Sequence, residues 1–158
     1  MDCYHGFVTI TRRRENAIIN LIKVCVGATN VSDLALRQKI NVTTTNKKRK
    51  VIHITRMWPR RCEELLDGGS LYWVFKGLIL ARQEILSFKE IIGSDEIKRC
   101  GIVLNANIIK TVPKTKRPFQ GWRYLNSHEA PKDLDKFSMN QEELPHSLQL
   151  ELSKLGVY

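Results

Sequence analysis

The feature that most constrains the fold is the spacing of turn formers. Residues 18–26 are rich in Ile, Val and Leu and stop at Gly27; residues 51–58 stop at Pro59. Residues 71–92 are interrupted at Gly77 and stop at Gly93, residues 97–104 stop at Asn105, and residues 108–112 stop at Pro113. Runs this short, carrying β-branched and aromatic residues between Gly, Pro and Asn, suit strands joined by turns rather than long helices. They point to a sheet whose neighbours are mostly antiparallel.

Each run adds detail. Residues 51–58 alternate, placing Ile52, Ile54, Arg56 and Trp58 on one face and Val51, His53, Thr55 and Met57 on the other. Residues 71–92 are ambiguous: Leu71, Val74, Phe75 and Leu78 fit a helical stripe, while Tyr72, Trp73, Val74 and Phe75 favour a strand. The turn Gly93, Ser94, Asp95 and the strand-like run after it favour two strands broken at Gly77, the second closing a hairpin.

Three helices are expected. Ser32 is the predicted N-cap of a short one carrying Leu34, Leu36 and Gln38. Pro59 opens and Gly68, Gly69 close a helix over 60–67 that buries Leu65 and Leu66. Pro145 opens a terminal helix whose Leu148, Leu152 and Leu155 form a stripe that docks on the body, with Gly156 as its stop. Residues 41–50 and 113–118 read as exposed basic loops, and 129–137 as a polar loop. The predicted fold is therefore α+β, a mixed, mainly antiparallel and partly closed sheet with about three flanking helices.

A chain of 158 residues fits one domain, burying roughly 70% of its unfolded surface. We expect residues 1–16 to be a poorly ordered extension and residues 17–158 to be a single domain. No run reaches the 18 or more apolar residues of a membrane span. Cys3, Cys25, Cys62 and Cys100 lie far apart without a Cys-x-x-Cys pair, so free thiols in a reducing cytoplasm are expected.

Charge is the unusual quantity. The chain has 26 Lys and Arg against 16 Asp and Glu, a net of +10. Residues 129–158 hold six acidic residues and three Lys, a net of −3, which leaves 23 basic against 10 acidic, a net of +13, on the rest. The excess gathers at Arg12 to Arg14, at Lys47 to Lys50, at Arg56, Arg60 and Arg61, and between Lys110 and Arg123. Aromatic rings interleave two clusters: Trp58 in one, Phe119 and Trp122 in the other. Cations neutralise phosphates and flat rings stack on unpaired bases, so single-stranded nucleic acid, RNA first, is the expected partner. The candidate contacts are Arg56, Arg60, Arg61, Lys116, Arg117 and Arg123 for phosphate, with Trp122 for stacking. Solvated loops account equally simply for a run such as Lys47 to Lys50. Trp73, inside an apolar run, is expected in the core; for Trp122 both core and ligand-facing placements stay open.

Catalytic patterns are absent. The sequence has no Gly-x-Ser-x-Gly, no Gly-x-x-x-x-Gly-Lys and no metal-spaced pair among His5, His53, His128 and His146. No cofactor or metal is implied. A rival reading is a small-molecule enzyme acting on an anionic substrate, with a pocket lined by Trp58, Tyr72 and Arg82 and joined by Arg56 and Trp122; a third is a basic protein-interaction module.

Three long motifs, in order, carry a resemblance. They are Thr55-Arg56-Met57-Trp58-Pro59-Arg60-Arg61, then Glu64-Leu65-Leu66-Asp67-Gly68-Gly69-Ser70-Leu71-Tyr72-Trp73-Val74, then Arg117-Pro118-Phe119-Gln120-Gly121-Trp122-Arg123-Tyr124-Leu125. With Leu21-Ile22-Lys23-Val24-Cys25-Val26-Gly27 they closely resemble a bacterial domain-of-unknown-function family, number 1489, over residues 17–156. The family brings no activity with it. More loosely, the order of strand, Pro-initiated helix, Gly-Gly and antiparallel strands is similar to the small barrel of PUA and ASCH domains, which implies RNA or modified-base binding; the Gly-x-Lys-x-x-Glu-x-Arg signature of ASCH domains is not present.

Overall fold

The structure, a computed structural model, describes residues 18–134 and 145–156. The expected extension over 1–16, with Arg12 to Arg14, and residues 135–137 of the polar loop lie outside them. In chain order the elements are β1 (Ile19–Val24), α1 (Val31–Ile40), β2 (Thr43–Thr45), β3 (Lys48–Thr55), α2 (Cys62–Leu66), β4 (Ser70–Phe75), β5 (Leu78–Ile92), β6 (Lys98–Asn105), β7 (Ile109–Thr115), β8 (Trp122–Asn126) and α3 (His146–Lys154). The eight strands form one sheet in the order β2-β3-β6-β5-β4-β1-β8, with β7 beside β5 off that path. All pairs are antiparallel except β1 with β4. The fold is α+β with a mixed, mainly antiparallel sheet and three helices among the described residues. It is not closed: β2 and β8 end the strand order and do not pair with each other.

The long strand β5 explains the open shape. Its first half pairs with β4 on one edge and β7 on the other, and its second half pairs with β6, register shifting between Ile85 and Ser87. A bulge bends a strand and increases its twist. The pairings on the two sides of this bend are thus turned relative to one another.

Both faces of the central strands are covered. Leu71, Trp73 and Phe75 of β4 join Leu21, Leu65, Leu78, Ile102 and Leu104 in the larger core, while Tyr72 and Val74 join Ile22, Ile79 and Leu125 in a smaller core behind the sheet. A strand buried on both faces needs no alternation, which is why residues 71–75 carry no clean strand signature.

Two hairpins close on tight two-residue turns. Asn46 and Lys47 have φ of 51° and 62° between Thr45 and its partner Lys48, and Lys76 and Gly77 have φ of 44° and 83° between Phe75 and Leu78. Paired positive φ is the geometry whose twist matches a hairpin. The first hairpin replaces the expected basic loop over 41–50; a run of Thr followed across Asn46 by a run of Lys and Arg is as compatible with a solvated strand pair as with a loop.

Four further expectations are corrected. Asn30, not Ser32, caps α1, because its Oδ1 accepts from Asp33 N (2.8 Å) while Asp33 Oδ2 accepts from Thr29 N and Oγ1 (3.0 and 2.7 Å). Within α1, Leu34 is buried and Leu36 exposed. The helix predicted over 60–67 is only Cys62–Leu66, because Arg61 (φ −100°, ψ 44°) and Asp67 (φ −87°, ψ 56°) leave the helical conformation at its two ends; Arg61 N–H, unpaired within a helix start, donates to Tyr124 Oη (3.2 Å). Strand β7 runs through Pro113 to Thr115, in place of the expected loop. Pro113 falls in the interval where the β5–β7 register shifts, so its missing N–H removes no regular ladder bond. Helix α3 docks through Leu150 and Ser153, whose Oγ donates to Pro113 O (3.2 Å), whereas Leu148 and Leu155 are exposed.

The Gly68-Gly69 pair has two separate causes. Gly68 has φ +88°, and a Cβ on Gly69 would sit 2.4 Å from Leu65 O and 2.5 Å from Ile19 O. This close approach lets α2 turn directly into β4.

Candidate functional site

Side-chain contacts to strand β8 bring two of the basic segments together. Lys23 of β1 lies opposite Trp122 of β8, and Ile22 opposite Arg123. The indole Nε1 of Trp122 donates to Met57 O (3.0 Å), and Arg61 meets Tyr124 twice, through its backbone N to Tyr124 Oη and through its guanidinium 5.7 Å from the ring centroid. The segment carrying Arg56, Arg60 and Arg61 is thereby held against strand β8.

The third predicted segment reaches the same end of the sheet. Lys116 N donates to Gly77 O (2.8 Å), and β1 and β4, parallel and in register at Val24 and Val74, both end there. Arg123 lies over the Phe119 ring at 5.2 Å. The fold separates the residues by face: Trp122 belongs to the larger core, whereas Leu125 and Phe119 belong to the smaller one. Arg123, next to Trp122 on the strand, projects to the side opposite Tyr124.

The ring expected to stack is not free. Trp122 is 8% exposed, its N–H is used, and it packs edge-on against Tyr124 at 5.2 Å. Tyr124, at 36% exposure, is the ring of this group that reaches solvent. Trp73 is core as expected, and Trp58 packs half-buried against the larger core.

Of the predicted small-molecule pocket, Tyr72 and Arg82 lie opposite one another on β4 and β5, and Trp58 does not join them. Trp58 packs on the larger core and Tyr72 belongs to the smaller one, so the sheet stands between them. Arg82 is engaged: Nε and Nη2 donate to the Asp133 carboxylate (2.7 Å each), and Nη1 donates to Ser70 Oγ (2.9 Å). Asp133 is in turn held below the ordinary carboxylate range by that guanidinium, and burial raises the Tyr72 phenol.

Most cations of the predicted interface are unneutralised. Among the described residues, ion pairs engage Arg61, Arg82, Lys98 and Arg99, which leaves Arg56, Arg60, Lys116, Arg117 and Arg123 without one. Between Asp33 and Glu63 the chain has nine basic and no acidic residues. That stretch makes α1, the β2–β3 hairpin and the segment leading into α2.

Sequence reasoning missed a cleft of about 340 Å³ where β3 approaches β1 without pairing to it. Its walls are residues 51–54 of β3, the end of β1 from Lys23, and the inner side of α1 with Leu34, Arg37 and Gln38; Trp73 also lines it. His53 stands edge-on to Trp73 (5.1 Å), and its buried Nε2 has no hydrogen-bond partner. Burial, and secondarily Lys23, lowers the imidazole from 6.5 to about 4, so it is neutral at physiological pH. Beneath it, the fully buried Gln83 accepts from Trp73 Nε1 and Gln38 Nε2 (2.9 Å each) and donates to Gln38 Oε1 (2.8 Å) and Asn105 O (3.0 Å). The signal available in sequence was Lys23, a lone cation inside an apolar run.

Among the described residues no group of three or more His, Cys, Asp or Glu is gathered as a metal requires, and no helix is long and apolar enough to cross a membrane. Cys25, Cys62 and Cys100 are buried thiols outside any disulfide; burial raises the Cys25 thiol, and Cys62 Sγ donates to Pro59 O (2.9 Å). No curated protein and no solved structure matches the chain. A family model described as protein of unknown function (DUF1489) matches residues 21–158, and the chain belongs to that family.

Proposed function

We propose that the protein binds single-stranded nucleic acid, RNA foremost, along the basic surface formed by the β2–β3 hairpin, the segment from Arg56 to Arg61 and the start of β8. The observation that carries this reading is the contact of Met57 and Arg61 with Trp122 and Tyr124, which brings the segment of Arg56 and Arg60 to the strand that carries Arg123. Cations on such a surface release the counterions condensed on a phosphate backbone, and a base stacks on an accessible ring. In this arrangement Arg56 and Arg60 meet phosphate on the Tyr124 side of β8; β8 is the edge of the sheet, so the bound strand rounds it to meet Arg123 on the opposite side, with Lys116 and Arg117 as further phosphate contacts. Arg61, already paired with Glu64, orients Tyr124, and Tyr124 takes the stacking role expected of Trp122.

The test is anisotropy titration of labelled single-stranded RNA and DNA oligomers at several salt concentrations. Log K should fall linearly with log salt, and the double variant Arg56→Ala, Arg60→Ala should reduce that slope by about 0.7 for each phosphate it no longer neutralises. Tyr124→Ala should weaken binding by about 1–3 kcal/mol. Absence of binding at low salt, or binding with no salt dependence, sinks the proposal and favours a protein partner for the basic surface.

A further inference from the structure

We propose that the cleft between β1, α1 and β3 is a binding site for a small organic anion with a flat, largely apolar body, the chemistry shared by a mononucleotide and an aromatic carboxylate. The size is right: ligand pockets begin at about 300 Å³ and are mostly apolar with a few placed polar groups. Leu34, Val51 and Trp73 supply apolar and aromatic wall, while Lys23 and Arg37 supply two cations. No acidic residue lines the cleft, and the field of Asp33 at the wall residue Cys25 is outweighed by those of Arg37 and Lys23.

The polar floor points to an organic ligand rather than a bare ion. His53 is a wall residue whose buried Nε2 lacks a partner, and an unsatisfied buried polar atom is a site that a ligand donor or acceptor can satisfy. Gln38 and Gln83 have no such deficit, since they satisfy one another, Trp73 Nε1 and Asn105 O. That network fixes the indole and one side of the cleft without using up the His53 ring. The opposite wall is the margin of β3 beyond Lys50. Strand β2 pairs only from Thr43 to Thr45 against Lys50 to Lys48, so the backbone edge of residues 51–55 on that side is open to a ligand. Arg37 donates one N–H to Val26 O (2.9 Å) and keeps four guanidinium N–H donors for an incoming phosphate or carboxylate. The cleft is a separate surface from the strand-binding one, and the inference stands without it.

The experiment is calorimetric and NMR titration of the full chain with adenosine 5′-monophosphate, adenosine, benzoate and inorganic phosphate. Saturable one-to-one binding of the monophosphate or of benzoate is expected, with amide shifts confined to residues 23–26, 34–41 and 51–54 and to the Trp73 indole. The monophosphate binding alone identifies a nucleotide site; benzoate binding as well identifies a general aromatic-anion site. Adenosine and inorganic phosphate, each lacking half of the required chemistry, should bind at least about tenfold more weakly. Lys23→Gln with Arg37→Gln removes both charges while keeping a polar amide side chain at each of these two wall positions, and should weaken binding about tenfold or more; His53→Phe keeps a flat ring against Trp73 and should also weaken it. The inference is overturned if neither anion binds at millimolar concentration, if the shifts map elsewhere, or if the double variant binds as tightly as the parent. Oligonucleotide titration in parallel separates the two proposals: strand binding without small-anion binding removes only the cleft, and the reverse removes only the strand-binding surface.

Discussion

Single side chains hold the cleft in shape, and Gln83 does most. It is fully buried among apolar groups, and its amide joins β4, β5, α1 and the end of β6 through four hydrogen bonds. Gln83→Leu matches the volume closely but strands the Trp73 N–H and the Asn105 carbonyl. Each orphaned group costs about 1–3 kcal/mol, so urea unfolding should show destabilisation by about 2–6 kcal/mol. An equal-volume swap without that cost would mean water or a rotated Gln38 replaces the amide. His53 makes the molecule acid-sensitive in a defined window. Its folded-state value of about 4 lies below the ordinary 6.5, so the unfolded chain takes up the proton first as pH falls. The stability tied to this neutral ring is whole above about 6.5, drains between about 6.5 and about 4, and from this group falls no further below. A shift of that size corresponds to about 3 kcal/mol. Denaturant curves at pH 7 and pH 4 should therefore differ by about that much more for the parent than for His53→Phe, after carboxylates common to both cancel.

At the scale of elements, the hairpin tips show what local rules predict and where they give way. Asn46 is a preferred residue for positive φ, but Lys47 and Lys76 are not. Lys47→Gly should stabilise the β2–β3 hairpin by up to about 1 kcal/mol in thermal unfolding. If the tip meets phosphate, the same substitution should weaken oligonucleotide binding, so stability and affinity move in opposite directions. The turns at Gly77 and Gly93 are legible in sequence because a turn is a property of neighbouring residues. Partners far along the chain leave no such trace. Nothing near Trp122 reveals that its N–H reaches Met57 O, and nothing near Arg61 reveals that its backbone N–H reaches Tyr124 Oη. The docking stripe of α3 meets the same limit: Leu148, Leu152 and Leu155 have the right spacing, yet the face presented to β7 is chosen by Ser153 and Leu150. Trp58, Tyr72 and Arg82 suit one another chemically, but the first two pack on opposite sides of the sheet.

Across the whole molecule, the charge excess inferred from composition acquires a location. The acid-free stretch from α1 to α2 borders both the cleft and the surface shared with β8, and it reaches β8 through the contacts of Met57 and Arg61 with Trp122 and Tyr124 rather than through sequence proximity. The sheet's open seam is also where β3 and β1 approach one another unpaired, so failure to close and possession of a cleft are one geometric fact. The placement of β1 has a consequence for how the chain is made. It lies between β4 and β8, elements that begin only at Ser70 and Trp122, whereas β2–β3 and β5–β6 are local hairpins. Non-local pairing pays its loop-closure entropy before any contact rewards it. During synthesis the first strand must therefore wait, apolar and unpaired on that edge, until β8 has emerged. A chain stopped at residue 121 should retain amide protection in the β5–β6 hairpin but lose it in β1, and pulse-labelled hydrogen exchange would read the difference directly. Protection of β1 before β8 exists would show that its parallel pairing with β4 suffices.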